Sequence, residues 1–147
     1  MIKYFLLPVL AALLAACGTT TGAAPAPHAA AAKPGAVTVE VAYLNHPPLR
    51  PILAEVDQLL AKYGDRVSVT RYDFDTPEGD AFAKAKGLTG HTPLAIFVNG
   101  SMEFTLDGRM VKFYSFPQGQ GTGMVPEGAW TIEDLRRVLD EATSKSS

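Results

Sequence analysis

The chain contains 147 residues, enough for one domain with its own hydrophobic core, and 47% of them are hydrophobic. Thirteen basic and fifteen acidic residues give a formal net charge of −2 at pH 7, which does not favour binding to nucleic acid or electrostatic attachment to anionic lipid. Cys17 is the only cysteine, so the chain cannot form an intramolecular disulfide.

The first segment of the chain has the features of an export signal. Residues 1–16 contain one lysine followed by an apolar run that is short and rich in small residues, which is typical of a signal peptide rather than of a membrane span. The run ends in "LAAC" (14–17), which resembles the lipobox of bacterial lipoproteins. This resemblance implies that residues 1–16 are removed and that Cys17 is acylated. An ordinary secretory leader with a chance cysteine is the alternative.

The resemblance to a lipobox also predicts where the protein is located. Acyl chains on Cys17 would anchor it in the bacterial cell envelope on the extracytoplasmic side, facing either the periplasm or the outer surface. They would also consume the one thiol, which leaves no sulfhydryl for redox chemistry. Residues 17–35 are rich in Ala, Pro, Gly and Thr and almost uncharged. They are predicted to be a flexible tether, because they cannot bury enough apolar surface to offset the entropy of ordering.

Residues 36–147 are predicted to form one domain, whose first half alternates strands and helices. A β-branched run that is apolar on both faces predicts a central strand. Apolar residues at helical spacing predict the helix that follows, which ends at Gly64, and a second strand then leads to a short helix that Thr76 caps. The predicted strands are 37–44, 66–74 and 93–98, and the predicted helices are 48–64 and 76–87.

The second half of the domain is predicted to form an antiparallel meander and a last helix. Asn99-Gly100 and Asp107-Gly108 are strong two-residue hairpin signals, so the strands on either side should pair in chain order. A glycine-rich loop at 117–129 leads to an amphipathic helix, which Thr131 and Asp134 start with a capping-box pattern. The predicted order is β-α-β-α-β-β-β-α, which indicates an α/β protein with a mixed sheet and helices on both faces.

The turn between the first strand and the first helix resembles the active-site motif of the thioredoxin family. In that family a strand delivers a C-x-x-C motif to the start of a long helix, and the sequence "HPPL" stands at this place. The four positions are His46, Pro47, Pro48 and Leu49, so both cysteines of the motif are missing. The resemblance therefore implies a thioredoxin-like fold without thiol-disulfide chemistry.

A second match surrounds Pro93. The segment "GLTGHTPLAIFVNG" (87–100) is similar to the segment of the thioredoxin family that contains a cis-proline, which implies that the peptide bond before Pro93 is cis. Glu40, six residues before the HPPL turn, is a weaker match to a buried acid of the family. The resemblance covers residues 36–100 and the last helix, and it makes the segment at about 101–129 an insertion.

The resemblance implies a binding role, because the redox chemistry of the family is absent. The family docks extended peptides beside the motif by strand-like hydrogen bonds, and such pairing needs no thiol. A groove formed by His46, Pro47, Thr92 and Pro93 would therefore bind an extended peptide or an envelope protein. We expect a binding or assembly module rather than an enzyme, with no cofactor. The alternatives are that His46 is a surface residue of a turn and that Pro93 is only a feature of the fold.

A second hypothesis concerns two histidines. His91 lies two residues before Pro93, on a loop predicted to face His46, so their imidazoles would bind a transition metal or another small ligand with Glu40 or a methionine as the third group. This hypothesis is weaker, because zinc usually needs three protein ligands and no spaced histidine cluster is present. A thiol-disulfide oxidoreductase is weaker still, because Cys17 is far from the motif.

Overall fold

The computed structural model describes residues 35–88, 91–121 and 127–145. The predicted signal peptide, Cys17 and the tether as far as residue 34 lie outside these residues, as does part of the glycine-rich loop. The strands are β1 (Val37–Tyr43), β2 (Val67–Asp73), β3 (Leu94–Val98), β4 (Glu103–Leu106) and β5 (Arg109–Lys112), and the helices are α1 (Arg50–Ala61), α2 (Pro77–Ala85) and α3 (Ile132–Lys145). This succession confirms the predicted order of elements.

A three-stranded mixed sheet with the strand order β2-β1-β3 forms the centre of this α/β fold. β1 is parallel to β2, with Val39 opposite Val69, and antiparallel to β3, with Val41 opposite Ile96. Every residue of β3 and most residues of β1 are buried, whereas the edge strand β2 is largely half-buried. β1 is therefore the central strand that its apolar sequence predicts.

The side chains that alternate along β1 pack into two separate clusters. On one face, Val39 and Val41 belong to the main core, to which α1 and α3 contribute their apolar sides. On the other face, Ala42 lies in a smaller cluster with Phe82 of α2. The ring of Phe82 stacks on that of Tyr72, with their centroids 3.8 Å apart. Helices thus cover both faces of the sheet, as the sequence predicts.

The apolar stripe of α1 faces the sheet. Its buried residues are Ile52, Val56, Leu59 and Leu60. This spacing follows the 3.6-residue period of an amphipathic helix. Beyond the helix the chain turns at Gly64, whose φ of +54° favours glycine.

Within the part of the chain that the structure describes, no helix combines the length and the apolar character needed to cross a membrane.

Both predicted two-residue turns form after β3. The residues Asn99, Gly100, Asp107 and Gly108 all have positive φ, as this type of hairpin turn requires. Asn99 Oδ1 also accepts a hydrogen bond from Thr38 N at 3.0 Å, which ties the first turn to β1.

The predicted pairing of three strands in chain order is confirmed for β4 and β5 and wrong for β3 and β4. β4 and β5 form a separate two-stranded sheet, and β3 meets the segment after β5 instead, through the Ala95–Tyr114 bridge. β3 and the chain that leads to β4 meet at the Val98–Ser101 bridge beside the turn. Just beyond it, Ser101 Oγ bonds both the N–H and the carbonyl oxygen of Glu103. Such local bonds compete with a strand ladder, so the chain leaves β3 at this point.

Two ion pairs join the β4–β5 hairpin to α3. Arg109 Nη2 lies 2.6 Å from Asp134 Oδ1, and Arg137 Nη2 lies 2.8 Å from Asp107 Oδ2. Asp134 also closes the predicted capping box, because its Oδ2 accepts hydrogen bonds from Thr131 N and Oγ1, both at 2.9 Å. Asp134 N in turn donates to Thr131 Oγ1 at 3.1 Å. The start of α3 and the position of the hairpin are therefore fixed by the same carboxylate.

Candidate functional site

The turn between β1 and α1 carries the HPPL sequence. Residues 45–48 are exposed, whereas Leu49 is buried in the core with 2% exposure. His46 is extended, with φ −102° and ψ 148°, as is usual for a residue before proline. Its carbonyl accepts a hydrogen bond from Leu49 N at 3.0 Å, and Pro47 and Pro48 begin the short 3-10 turn before α1. Leu49 thus anchors a turn that presents His46 and both prolines to solvent.

The Pro93 segment lies against this turn. Leu44 N donates a hydrogen bond to Pro93 O at 3.0 Å, which extends the pairing of β1 with β3 beyond Tyr43 and Leu94. His46 N then donates to Leu44 O at 2.9 Å. Leu44 therefore connects His46 to Pro93 and brings the two sequence matches to the same edge of the sheet.

The Thr92–Pro93 bond is trans, because no peptide bond between described residues is cis. The cis bond that the resemblance implies is thus wrong for this structure. Thr92 is 4% exposed, and its Oγ1 lies 3.0 Å from the hydroxyl oxygen of Tyr114. Pro93 is buried as well. Because the Thr92 side chain is held inward by this hydrogen bond, the exposed part of the predicted groove consists of His46 and Pro47.

A cavity of about 240 Å³ opens beside the Pro93 segment. It lies at the carboxyl ends of the two parallel strands, where Leu44 follows β1 and Phe74 follows β2. Open α/β sheets commonly bind ligands at this place. The residues that line the cavity are Leu44, Phe74, Asp80, Ala83, Lys84, Leu88, His91 and Thr92.

Among the residues that line the cavity, only His91 and Thr92 are predicted from the sequence to be site residues. Leu44 and Phe74 belong to the predicted strands, and Leu88 has no property in the sequence that distinguishes it from a core residue. The signal that identifies Leu44 and Phe74 is their position, because each is the first residue after a parallel strand.

Charged side chains stand at the mouth of the cavity. Asp80 Oδ2 and Lys84 Nζ are 2.6 Å apart, and the two side chains are 56% and 75% exposed. An exposed pair one helical turn apart contributes only about 0.3–0.5 kcal/mol. A bound partner would therefore separate it at little cost. His91 is exposed at the same mouth.

Glu40 lies apart from the residues that line the cavity. Its Oε2 is 2.7 Å from Lys86 Nζ, and the two side chains are 24% and 26% exposed. The Lys86 ammonium also lies 4.6 Å from the ring centroid of Phe97 and 5.1 Å from that of Phe82, which adds cation–π attraction. These contacts join β1 to the end of α2, so they account for Glu40 as a structural residue.

The two histidines have different surroundings. His91 lines the cavity, whereas His46 lies on the neighbouring turn and does not. In the described ranges, no group of three or more His, Cys, Asp or Glu side chains could hold a metal ion. The metal hypothesis therefore finds no third His, Cys, Asp or Glu ligand in this part of the chain.

The last residue of β1, Tyr43, borders the turn on the α1 side of the sheet. Burial, and to a smaller extent the Asp73 carboxylate, raises the pKa of the Tyr43 phenol above its ordinary value. The phenol is thus a neutral hydrogen-bonding group at physiological pH and not a nucleophile.

Comparisons with known proteins give no further guide to the site. No protein-family model matches the chain, and a search of curated proteins gives no match. Any functional assignment therefore depends on the geometry of the turn, the Pro93 segment and the cavity.

Proposed function

We propose that the protein is a redox-inactive binding module of the bacterial cell envelope, held there by lipid on Cys17 and a flexible tether. It binds an extended peptide or an envelope protein at the cleft formed by the HPPL turn and the adjoining cavity. The observation that carries the proposal is the pair of hydrogen bonds through Leu44, which join His46 to Pro93 at the edge of the cavity.

The arrangement of elements supports a thioredoxin-like fold as part of this proposal. The HPPL turn lies between β1 and the helix that follows it, and Pro93 directly precedes β3. β3 is antiparallel to β1 and adjacent to it. The resemblance implies this relation, in which a strand delivers the motif to a helix start beside the proline segment.

The chemistry of the cleft favours binding over catalysis. The motif positions hold His46 and Leu49 where the thioredoxin family has cysteines, and the side chain of Leu49 is buried. Cys17 is the only cysteine and lies in the predicted lipobox. An exposed turn beside an open cavity offers shape and hydrogen-bonding groups to a partner, but this sequence offers no dithiol.

Site-specific photo-crosslinking of the full chain in a bacterial envelope tests the proposal. The probe belongs at Pro47, which is exposed on the turn, because a probe at the buried Leu49 would disturb the core. The matched control is Lys62, exposed after α1. Lys62 lies at the opposite end of the sheet, because β2 begins shortly after it. The first residue of β2, Val67, is opposite Val37, which is the first residue of β1.

We expect a discrete protein adduct from the probe at Pro47 and none from the probe at Lys62. Equal adducts at both positions, or none at Pro47, would contradict a partner site at the cleft. A second assay addresses redox chemistry: the detergent-solubilised full chain should not accelerate the reduction of insulin disulfides by a thiol. A clear thiol-dependent rate would overturn the redox-inactive assignment.

A further inference from the structure

The outer edge of β2 is not covered by another strand. β2 is the first strand in the order β2-β1-β3, so one of its sides faces away from the sheet. Phe74 N donates a hydrogen bond to Tyr43 O at 2.9 Å. Because the backbone groups of successive residues in a strand point to opposite sides, the N–H and carbonyl groups of Val67, Val69 and Arg71 point away from β1. Within the described ranges, no hydrogen bond from another segment reaches these groups.

β2 lacks features that commonly prevent an edge strand from pairing with another chain. Such strands are often short, or carry proline, lysine or a bulge. β2 has seven residues, none of which is proline or lysine, and its register with β1 runs from Val67 to Asp73 without a bulge. The edge is therefore suited to the addition of a further strand.

The charges near the end of β2 favour a second copy of the chain as the added strand. Arg71 and Asp73 are two residues apart in the strand, so their side chains lie on the same face of the sheet. When a second copy runs antiparallel about a two-fold axis at Tyr72, Arg71 of each copy is directly opposite Asp73 of the other, and the same contact forms twice. An edge strand with charges of one sign would repel its own copy instead.

The side chains of β2 allow this contact. Arg71 is exposed and pairs with Asp57 of α1, and a guanidinium has five N–H donors, so it can bind a second carboxylate. Asp73 Oδ1 accepts a hydrogen bond from Asp75 N at 3.0 Å, and a carboxylate has further acceptor sites. Tyr72 is half-buried on the other face of the sheet. It would meet its own copy at the axis, where a cross-strand aromatic pair is favourable.

We propose that the protein forms a symmetric dimer in which the β2 strands of two copies pair antiparallel, centred on Tyr72 and joined by two Arg71–Asp73 ion pairs. The two central sheets then form one continuous sheet. This inference goes beyond the proposed function and does not rest on the cleft.

The predicted tether is compatible with this arrangement. On the proposal that Cys17 carries lipid, both copies are held in one membrane, which raises their effective concentration. Residues 17–35 span up to about 60 Å when extended. Both anchors can therefore reach the membrane, although the β2 strands of the two copies run in opposite directions.

Co-purification of two differently tagged full chains, expressed together in a bacterial envelope and solubilised in detergent, tests the dimer. Wild-type copies should co-purify. Arg71→Glu places like charges opposite each other at both contacts, and so does Asp73→Lys, so each variant should recover its own second copy about tenfold less or worse. The matched controls are Lys145→Glu and Glu141→Lys, which reverse exposed charges on α3 and should co-purify as the wild type does.

A mixture of the two variants gives the decisive result. When Arg71→Glu and Asp73→Lys carry different tags, the new carboxylate of one chain faces the new ammonium of the other, and the original Arg71 and Asp73 form the second pair. The mixed copies should therefore co-purify as wild-type copies do. A folding defect in either variant cannot produce this rescue. A double variant with Arg71→Asp and Asp73→Arg exchanges the charges within one chain, and it should pair with itself.

Three results would overturn the dimer. They are failure of wild-type copies to co-purify, retained self-association of either single variant, and absence of rescue in the mixed pair. The crosslink expected at Pro47 does not depend on any of them, so failure of the dimer and failure of the cleft are distinguishable.

Discussion

Replacing Asp134 by alanine tests how strongly α3 and the hairpin are fixed to each other. Asp134 is 4% exposed, and its carboxylate accepts hydrogen bonds from Thr131 and from Arg109. Loss of the capping bonds costs about 1 kcal/mol, and loss of a hydrogen bond to a charged group costs about 1.5–3 kcal/mol. Because the Arg109 side chain is 50% exposed, water partly replaces the lost partner. We therefore expect the free energy of unfolding to fall by about 2–3 kcal/mol.

Urea unfolding followed by tryptophan fluorescence measures this change. Trp130 is the only tryptophan in the chain and is fully buried, so its emission reports the loss of the core directly. The control is Glu133→Ala, since Glu133 is exposed and pairs only with Arg136 among the described residues. The control should leave the free energy of unfolding nearly unchanged, because exposed ion pairs contribute little to stability. If Asp134→Ala costs no more than this control, the assigned role of the shared carboxylate is wrong.

Three further substitutions test other parts of the domain. Burial raises the pKa of the Tyr63 phenol from 10.0 to about 12, so the stability that this phenol contributes below pH 10 should be lost as the pH rises through 12. Tyr63→Phe should reduce this loss when the free energy of unfolding in urea is measured at a series of pH values. An unchanged dependence of the free energy of unfolding on pH would contradict this role. Gly79→Ala should cost about 3 kcal/mol or more, because its Cβ would lie 1.8 Å from Asp73 O; an unchanged melting temperature would refute this packing. Glu40→Gln should lower the free energy of unfolding by about 1–2 kcal/mol, because it breaks the ion pair with Lys86. It should leave the crosslinking yield of the probe at Pro47 unaltered, and loss of that adduct would assign Glu40 to the binding site.

The order of elements could be predicted because each element carries a local signal. Thr76 caps α2 through its hydroxyl, which accepts a hydrogen bond from Gly79 N at 3.1 Å, and Gly64 turns the chain after α1. The partner of β3 could not be predicted in the same way. The Ala95–Tyr114 bridge joins residues separated by a complete hairpin, and turn signals report only on neighbouring residues.

The candidate site could be predicted in part for a related reason. The resemblance places the HPPL turn near Pro93, and the bonds through Leu44 bring them together. The isomer at Pro93 and the burial of Leu49 depend on packing that the motif does not encode. The cavity is also a tertiary feature, because Leu44 and Leu88 come from elements that are far apart in sequence.

The direction of β1 determines which way the cleft points. β1 has seven residues, and at about 3.3 Å for each residue it spans about 23 Å. The tether would join the domain at the amino end of this strand, while the turn and the cavity lie at its carboxyl end. On the proposal that Cys17 carries lipid, the point at which the tether enters the domain and the cleft are at opposite ends of β1. A partner could then reach the cleft from the aqueous side without displacing the segment that holds the protein at the membrane.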